Sequence, residues 1–250
     1  MTIPRIFHTI WLGPDPLPDE YARYRETWRA HHPDWELQLW TEDNLPQPLR
    51  RPEAAEKLRV PTERADILRL EVVWRVGGVH VDADFECLRP IDELVGDASF
   101  VIGLAKPERV NGALFGAEQG HAVLERLLDE IRPREFAGYD KNATGPRFLD
   151  RMLLGELRDR VTFLEPALLY PQTADERAVA YALHHEARTW KSDEQLRDDL
   201  ARAEREAAEA RENASKWRTR YEQTRDELHA LQRSWGARAE RLVRRPRRRG

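Results

Sequence analysis

The stretch Gly77-Gly78-Val79-His80-Val81-Asp82-Ala83-Asp84 decides how this chain is read. Two glycines lead into a short apolar run that delivers two carboxylates two residues apart. Side chains alternate along a strand, so the spacing predicts a strand over Val79 to Ala83 with Asp82 and Asp84 on one face at its end. Paired carboxylates at a strand end suit a hard divalent cation, magnesium or manganese. Such an ion takes oxygen ligands and keeps positions for water and phosphate. A bare Asp-x-Asp is more often a pair of exposed turn residues. Its neighbours change that reading.

Just upstream, Thr62-Glu63-Arg64-Ala65-Asp66 offers an N-cap followed by acidic residues, the start signal of a helix. Ile67, Leu70, Val73 and Trp74 give that helix an apolar stripe, and Gly77-Gly78 ends it. Further strands are expected over Ile3 to Leu12, Trp35 to Trp40, Phe100 to Ala105 and Ala113 to Ala117. Helices are expected over Glu20 to Ala30, His121 to Ile131 and Phe148 to Leu157. Val161 to Leu169 reads as an extended run leaving through Tyr170-Pro171. Strands alternating with helices predict an α/β domain on a mostly parallel sheet. Ligands of such sheets lie beyond the carboxyl ends of the strands, where Asp82 and Asp84 fall.

The character changes at Ser192. Leu196, Leu200, Ala203, Ala207, Ala210, Ala214, Trp217, Tyr221, Thr224, Leu228, Leu231 and Trp235 follow one another at steps of four and three. That is a heptad seam, and it predicts a long coiled-coil-like helix over 192–243 that self-associates or packs on the globular domain. Arg244-Arg245-Pro246-Arg247-Arg248-Arg249 then forms a basic tail over 244–250, read as disordered and solubilising, with contact to anionic lipid or to nucleic acid as the alternatives. The globular domain is expected to span 1–191.

The bulk composition excludes several classes. A net charge of −4 gives no overall nucleic-acid footprint, and the single cysteine, Cys87, excludes an internal disulfide framework. No apolar run approaches the roughly 20 residues of a membrane-spanning helix, and the N-terminus reads as a strand rather than a signal peptide. The expectation is a cytoplasmic protein, with peripheral contact at the inner face of the membrane through the tail.

Four features accompany the aspartate pair. Trp11 sits at a strand end before Gly13, where an indole can stack on a nucleobase. Asp66 and Arg69 are three apart and share a helix face. Val110-Asn111-Gly112-Ala113-Leu114-Phe115 places an amide at the head of an apolar run. His184-His185 precedes Thr189-Trp190, and imidazole suits a borderline divalent ion.

In this order these residues resemble the DxD-containing sugar transferases of glycosyltransferase family 32, and the motifs are similar to those of large clostridial glucosylating toxins. The matching stretches are Ile3 to Gly13, Arg64 to Cys87, Asn111 to Gly120, Thr144 to Pro146 and His184 to Trp190. The resemblance implies a GT-A sheet domain, a UDP- or GDP-hexose donor, Mn2+ or Mg2+ as cofactor, and transfer with retention of anomeric configuration. The acceptor would be a glycan, a glycolipid or a small molecule. It implies that Trp11 stacks on the donor base, while Asp66 and Arg69 hold the sugar hydroxyls and the diphosphate. Asp82 faces the ribose and the metal's water shell, and Asp84 binds the metal directly. Asn111 lies beside the transferred sugar, His185 completes the metal site and Trp190 closes over the diphosphate. Asp82, Asp84 and Arg69 form the catalytic set. Glu186 and Thr189 depart from the family pattern, which favours an aromatic residue and serine there. Pro14 to Pro18, Pro46 to Pro52 and Ala137 to Asn142 are the candidate acceptor loops. The rival readings are a coiled-coil scaffold with an inactive nucleotide-sugar-binding head, and a metal-dependent phosphoesterase.

Overall fold

A computed structural model describes residues 2–53, 61–131, 143–185 and 211–225. The chain divides into two compact units, Met1–Trp190 and Lys191–Gly250. The first unit is built on six strands: β1 (Ile6–Ile10), β2 (Glu36–Trp40), β3 (Gly78–Val81), β5 (Phe100–Lys106), β6 (Arg109–Ala117) and β7 (Thr162–Leu164). Their order across the sheet is β2-β1-β3-β6-β5-β7. Every neighbouring pair is parallel except the two pairs made by β6, which runs against both β3 and β5. A second, two-stranded antiparallel sheet joins β4 (Phe85–Cys87) to β8 (Ala182–His184).

Helices cover both faces of the large sheet. Alternate residues of its strands divide between two cores, as a period of two requires. Phe100, Ile102, Phe115 and Ala117 join Ile67, Leu70 and Val73 of α2 (Pro61–Val76), Leu124 and Leu127 of α4 (Ala122–Glu130), and Phe148 and Leu149 of α5 (Pro146–Leu153). Val79, Val81, Val101 and Leu114 face the other way, toward Trp28 of α1 (Asp19–His31), Trp35 and Phe85. Phe7 stacks on Trp35 with ring centroids 4.5 Å apart. The short helices α3 (Asp92–Val95), α6 (Pro166–Leu169) and α7 (Ala174–Val179) complete the unit. α7 opens with a capping box between Thr173 and Glu176.

α2 turns directly into β3, and two glycines make that reversal. Gly77 donates its N–H to Val73 O at 2.8 Å and lies at φ +73°, closing the helix, and Gly78 follows at φ +105°. A Cβ on Gly78 would sit 2.6 Å from Ile6 O, and one on Gly77 would sit 2.7 Å from Pro4 Cγ. Both positions therefore need glycine for conformation and for space.

Some elements differ from the expectation. β3 ends at Val81, and Asp82–Asp84 form a turn into β4, with Phe85 N–H bonded to Asp82 O at 3.2 Å. β6 begins at Arg109, four residues earlier than expected, because a two-residue turn at Pro107-Glu108, with Glu108 at φ +58°, pairs it with β5 at once. The run expected to be extended over Val161 to Leu169 breaks at Pro166, which starts α6. Thr62 lies inside α2 rather than capping it, and its hydroxyl has no hydrogen-bond partner among the described residues.

In the second unit, residues 211–225 are helical and exposed throughout, with Trp217 and Tyr221 each 69% exposed. Ala214, Trp217, Tyr221 and Thr224 of the predicted seam lie on this helix. The seam's remaining positions and the arginine tail lie outside the described residues. The long coiled coil has no support among the described residues.

His8 ties β1 to the α2–β3 turn. Trp40 Nε1, which can only donate, bonds His8 Nδ1 at 3.0 Å, so His8 Nε2 carries the proton and donates to Gly77 O at 2.7 Å. Burial of this neutral ring lowers its pKa from 6.5 to about 4. The unfolded chain then takes up the proton first, so His8's contribution is present above pH 6.5 and is lost as pH falls toward about 4. The loss amounts to roughly 3 kcal/mol. Urea midpoints measured across that window should fall more steeply in the wild type than in His8→Gln; parallel curves would contradict the assignment. Gly78→Ala should cost about 3 kcal/mol through the strained φ and the contact with Ile6 O. A melting temperature equal to wild type would contradict that.

Candidate active site

The carboxyl end of β3 gathers charged side chains from four elements. Asp82 follows the strand, its N–H bonded to Ala113 O of β6 at 2.8 Å. Asp66 and Arg69 reach it from α2. Both are buried, at 7% and 8% exposure, so this is no surface ion pair. One guanidinium nitrogen of Arg69 contacts Asp66 Oδ1, and the other lies 3.6 Å from Asp82 Oδ1. Thr144, just before α5, donates to the second oxygen of Asp66 at 3.3 Å. A buried guanidinium between two carboxylates keeps its charge compensated, which a buried cation requires.

Asp82 Oδ1 also accepts from His80 Nε2 at 2.8 Å. Burial works against the Asp82 carboxylate. The His80 hydrogen bond and the Arg69 charge outweigh it and hold the pKa below the ordinary carboxylate value. Asp84 leaves the turn with Oδ1 3.2 Å from His184 Nε2. The small sheet fixes this approach: His184 stands opposite Phe85 in the β4–β8 register, and His185 N–H bonds Asp84 O at 3.0 Å. The imidazole of His184 stacks on the Phe85 ring, centroids 4.7 Å apart and planes 5° from parallel.

Among the described residues, Asp82, Asp84 and His184 offer ligand atoms within 4.8 Å of one another and form the group suited to one metal ion. The histidine is His184, where the expectation was His185. His185 turns away, its Nε2 3.0 Å from Glu86 Oε2 and its ring stacked on Tyr24 at 4.3 Å. Adjacent residues at a strand end point in opposite directions, so only one of the pair can meet Asp84. The two aspartates converge through the turn that follows β3, not through the pleat of a strand extending to Ala83.

Trp11 directly follows β1, half-buried. Its N–H bonds Asp15 O at 2.8 Å, and its ring meets Tyr21 edge-on at 5.8 Å. A narrow cleft between α1 and the Asp82 turn is lined by Thr9, Tyr21, Arg25, Trp28, Asp82 and Phe85. Asn111 lies within β6, not in a turn, and its Oδ1 accepts from Ala113 N at 3.0 Å. Trp190 lies outside the described residues. The structure thus brings Asp66, Arg69, Asp82 and Asp84 together, with His184 in place of His185.

Sequence reasoning missed two contributors. His80 shares the i, i+2 alternation that was applied to Asp82, a usable signal. Gly112 carried none. A Cβ there would stand 3.0 Å from Arg69 Nη2 and 2.9 Å from Leu149 Cδ1, so the bare backbone of β6 leaves the guanidinium its place.

Comparisons with known proteins find sugar transferases. Residues 18–101 match the family described as the glycosyltransferase sugar-binding region containing a DXD motif. The chain is 25% identical over 184 residues to inositol phosphoceramide mannosyltransferase 1 of Schizosaccharomyces pombe, covering 67% of this chain and 57% of that protein. It is 26% identical over 162 residues to the mannosyl phosphorylinositol ceramide synthase SUR1 of Saccharomyces cerevisiae, covering 59% of this chain and 41% of that one. The chain therefore spans about half the length of the curated relatives it matches. Among solved structures, the PaToxG glycosyltransferase superposes with a TM-score of 0.53 at 14% identity, covering 62% of this chain and 70% of that one. The fold is GT-A-like with a mixed α/β sheet, and the likeness to DXD-containing sugar transferases holds.

Gly112→Ala should leave the protein folded, because the added methyl meets only flexible side-chain ends, yet displace Arg69. The expected result is a folded protein with a lowered melting temperature, because a buried ion pair is disturbed, and donor turnover reduced at least about tenfold. Full turnover in the variant would show that the guanidinium position is not critical.

Proposed function

We propose that this chain is a metal-assisted glycosyltransferase that moves a hexose from a nucleotide-sugar donor to an acceptor hydroxyl, with retention of anomeric configuration. The observation that carries the reading is the meeting of Asp66, Arg69, Asp82, Asp84 and His184 at the end of β3 in a GT-A-like sheet. Glycosyl transfer breaks the bond between the anomeric carbon and a phosphate oxygen. Positive charge develops on the sugar, as in glycoside hydrolysis, and negative charge on the departing diphosphate.

Two carboxylates and an imidazole within reach of one another fit a divalent cation, and the nitrogen favours manganese over magnesium. Asp82, Asp84 and His184 would hold such an ion, and it would supply Lewis-acid stabilisation of the leaving diphosphate. Arg69 adds a fixed positive charge in a buried setting, where it is worth more than in water. Asp66, steadied by Thr144, holds the guanidinium and offers an oxygen to the sugar hydroxyls. Trp11 stacks on the base, Asn111 lies beside the transferred sugar and Trp190 closes over the diphosphate. The acceptor hydroxyl is positioned rather than strongly activated.

The relatives are named for mannosyl transfer to inositol phosphoceramide and for mannosyl phosphorylinositol ceramide synthesis. A mannosyl donor and an inositol-phosphate glycolipid are therefore the first pair to test. Residues 1–191 form the catalytic domain, the segment 192–243 serves self-association, and the basic tail at 244–250 meets the anionic cytoplasmic membrane surface where a lipid acceptor sits.

The test incubates the full chain with UDP-glucose, UDP-galactose or GDP-mannose, with and without manganese, and follows release of nucleoside diphosphate. Release from one donor, dependent on manganese, is expected. Asp84→Asn should lower it to below about 1% of wild type with the fold retained. Equal turnover by Asp84→Asn would contradict the assignment, as would cleavage of the diphosphate to monophosphates.

A further inference from the structure

Resting on that reading, we infer that His80 is the positioning residue of the site: a fixed donor that pins one oxygen of Asp82 so that the other is presented to the divalent ion and the donor. Three observations carry it. His80 is 2% exposed, in the middle of β3, with Phe115 of β6 packed against it at 5.4 Å. Its Nε2 meets Asp82 Oδ1 at 2.8 Å. Its Nδ1 is buried and makes no hydrogen bond of ordinary geometry among the described residues.

These facts set the proton. A carboxylate oxygen can only accept, so the proton sits on Nε2 and points at Asp82. The neighbours of His80 have no freedom to replace it. His8, opposite His80 in the β1–β3 register, already donates to Gly77 O and accepts from Trp40. Arg69 reaches Asp82 only at 3.6 Å and bonds Asp66 more closely. His80 is therefore the short hydrogen bond that decides the rotation of the Asp82 carboxylate. A purely structural role at this buried position would be met better by an apolar ring against Phe115.

Outer partners of a metal-binding side chain orient it, and their removal typically weakens metal affinity about 10- to 100-fold. The variants are His80→Phe, which keeps a ring of similar shape and removes the donor, and His80→Gln, whose amide nitrogen stands near the place of Nε2. His80→Asn serves as a second donor-free variant, its amide too short to reach Asp82, should His80→Phe fail to fold. Manganese affinity is measured directly, from the electron paramagnetic resonance signal of free Mn2+ titrated with the full chain, beside a melting curve for each protein. Binding at least about tenfold weaker in His80→Phe or His80→Asn is expected, with recovery to within about threefold of wild type in His80→Gln and similar melting temperatures. Manganese binding by a folded donor-free variant equal to wild type overturns this proposal and leaves the function standing. Absence of manganese binding by the wild type itself overturns both.

Discussion

A single guanidinium organises this molecule. Arg69 is almost entirely removed from solvent and lies between Asp66 on its own helix and Asp82 at the end of β3. A buried cation is tolerated only when its charge and donors are met, and losing one partner of such a pair costs about 3–5 kcal/mol. The surroundings are shaped to that need. α2 must pack close to β3, which the strained Gly77-Gly78 reversal permits. β6 must present bare backbone at Gly112. Thr144 must occupy the outer oxygen of Asp66. The same cluster leaves positive charge beside two carboxylates, the arrangement that a departing diphosphate and its counter-ion require.

The small β4–β8 sheet is the second device. It is only three residues long on each side, yet it fixes which histidine meets Asp84. Trp28 Nε1 anchors β4 by donating to Phe85 O at 2.8 Å, and Phe85 in turn provides the surface on which His184 lies. Two residues a hundred positions apart in sequence are thus set against each other by backbone register rather than by side-chain choice. Cys87, in the same strand, is buried, and its thiol is pushed up to about 12 by that burial, so it stays protonated.

Much of the large sheet was legible because its signals are local. Apolar runs and turn residues gave β1, β2 and β5, and Gly77-Gly78 marked the end of α2. The pair at 66 and 69 was legible because helix periodicity is a short-range rule, whereas 82 and 84 meet through a turn that the expected strand alternation did not foresee. What escaped depends on distant pairing. The register that puts His184 opposite Phe85 is set by long-range contacts, and nothing near positions 184 and 185 distinguishes the two imidazoles. The antiparallel course of β6 follows from its tight hairpin with β5, whose Pro107-Glu108 turn places a non-glycine residue at positive φ and is weak as a sequence signal. Gly112 is silent in sequence because close approach of a partner is invisible until the partner is placed.

The central claim is that Asp82, Asp84 and His184 hold a divalent ion at the end of β3. Pulsed electron paramagnetic resonance of manganese bound to the full chain with a nucleoside diphosphate reads the ion's nitrogen neighbours directly. The account predicts coupling to one imidazole nitrogen, present in the wild type and in His185→Ala and lost in His184→Ala. Bound manganese without nitrogen coupling, or coupling that survives in His184→Ala and disappears in His185→Ala, would contradict it.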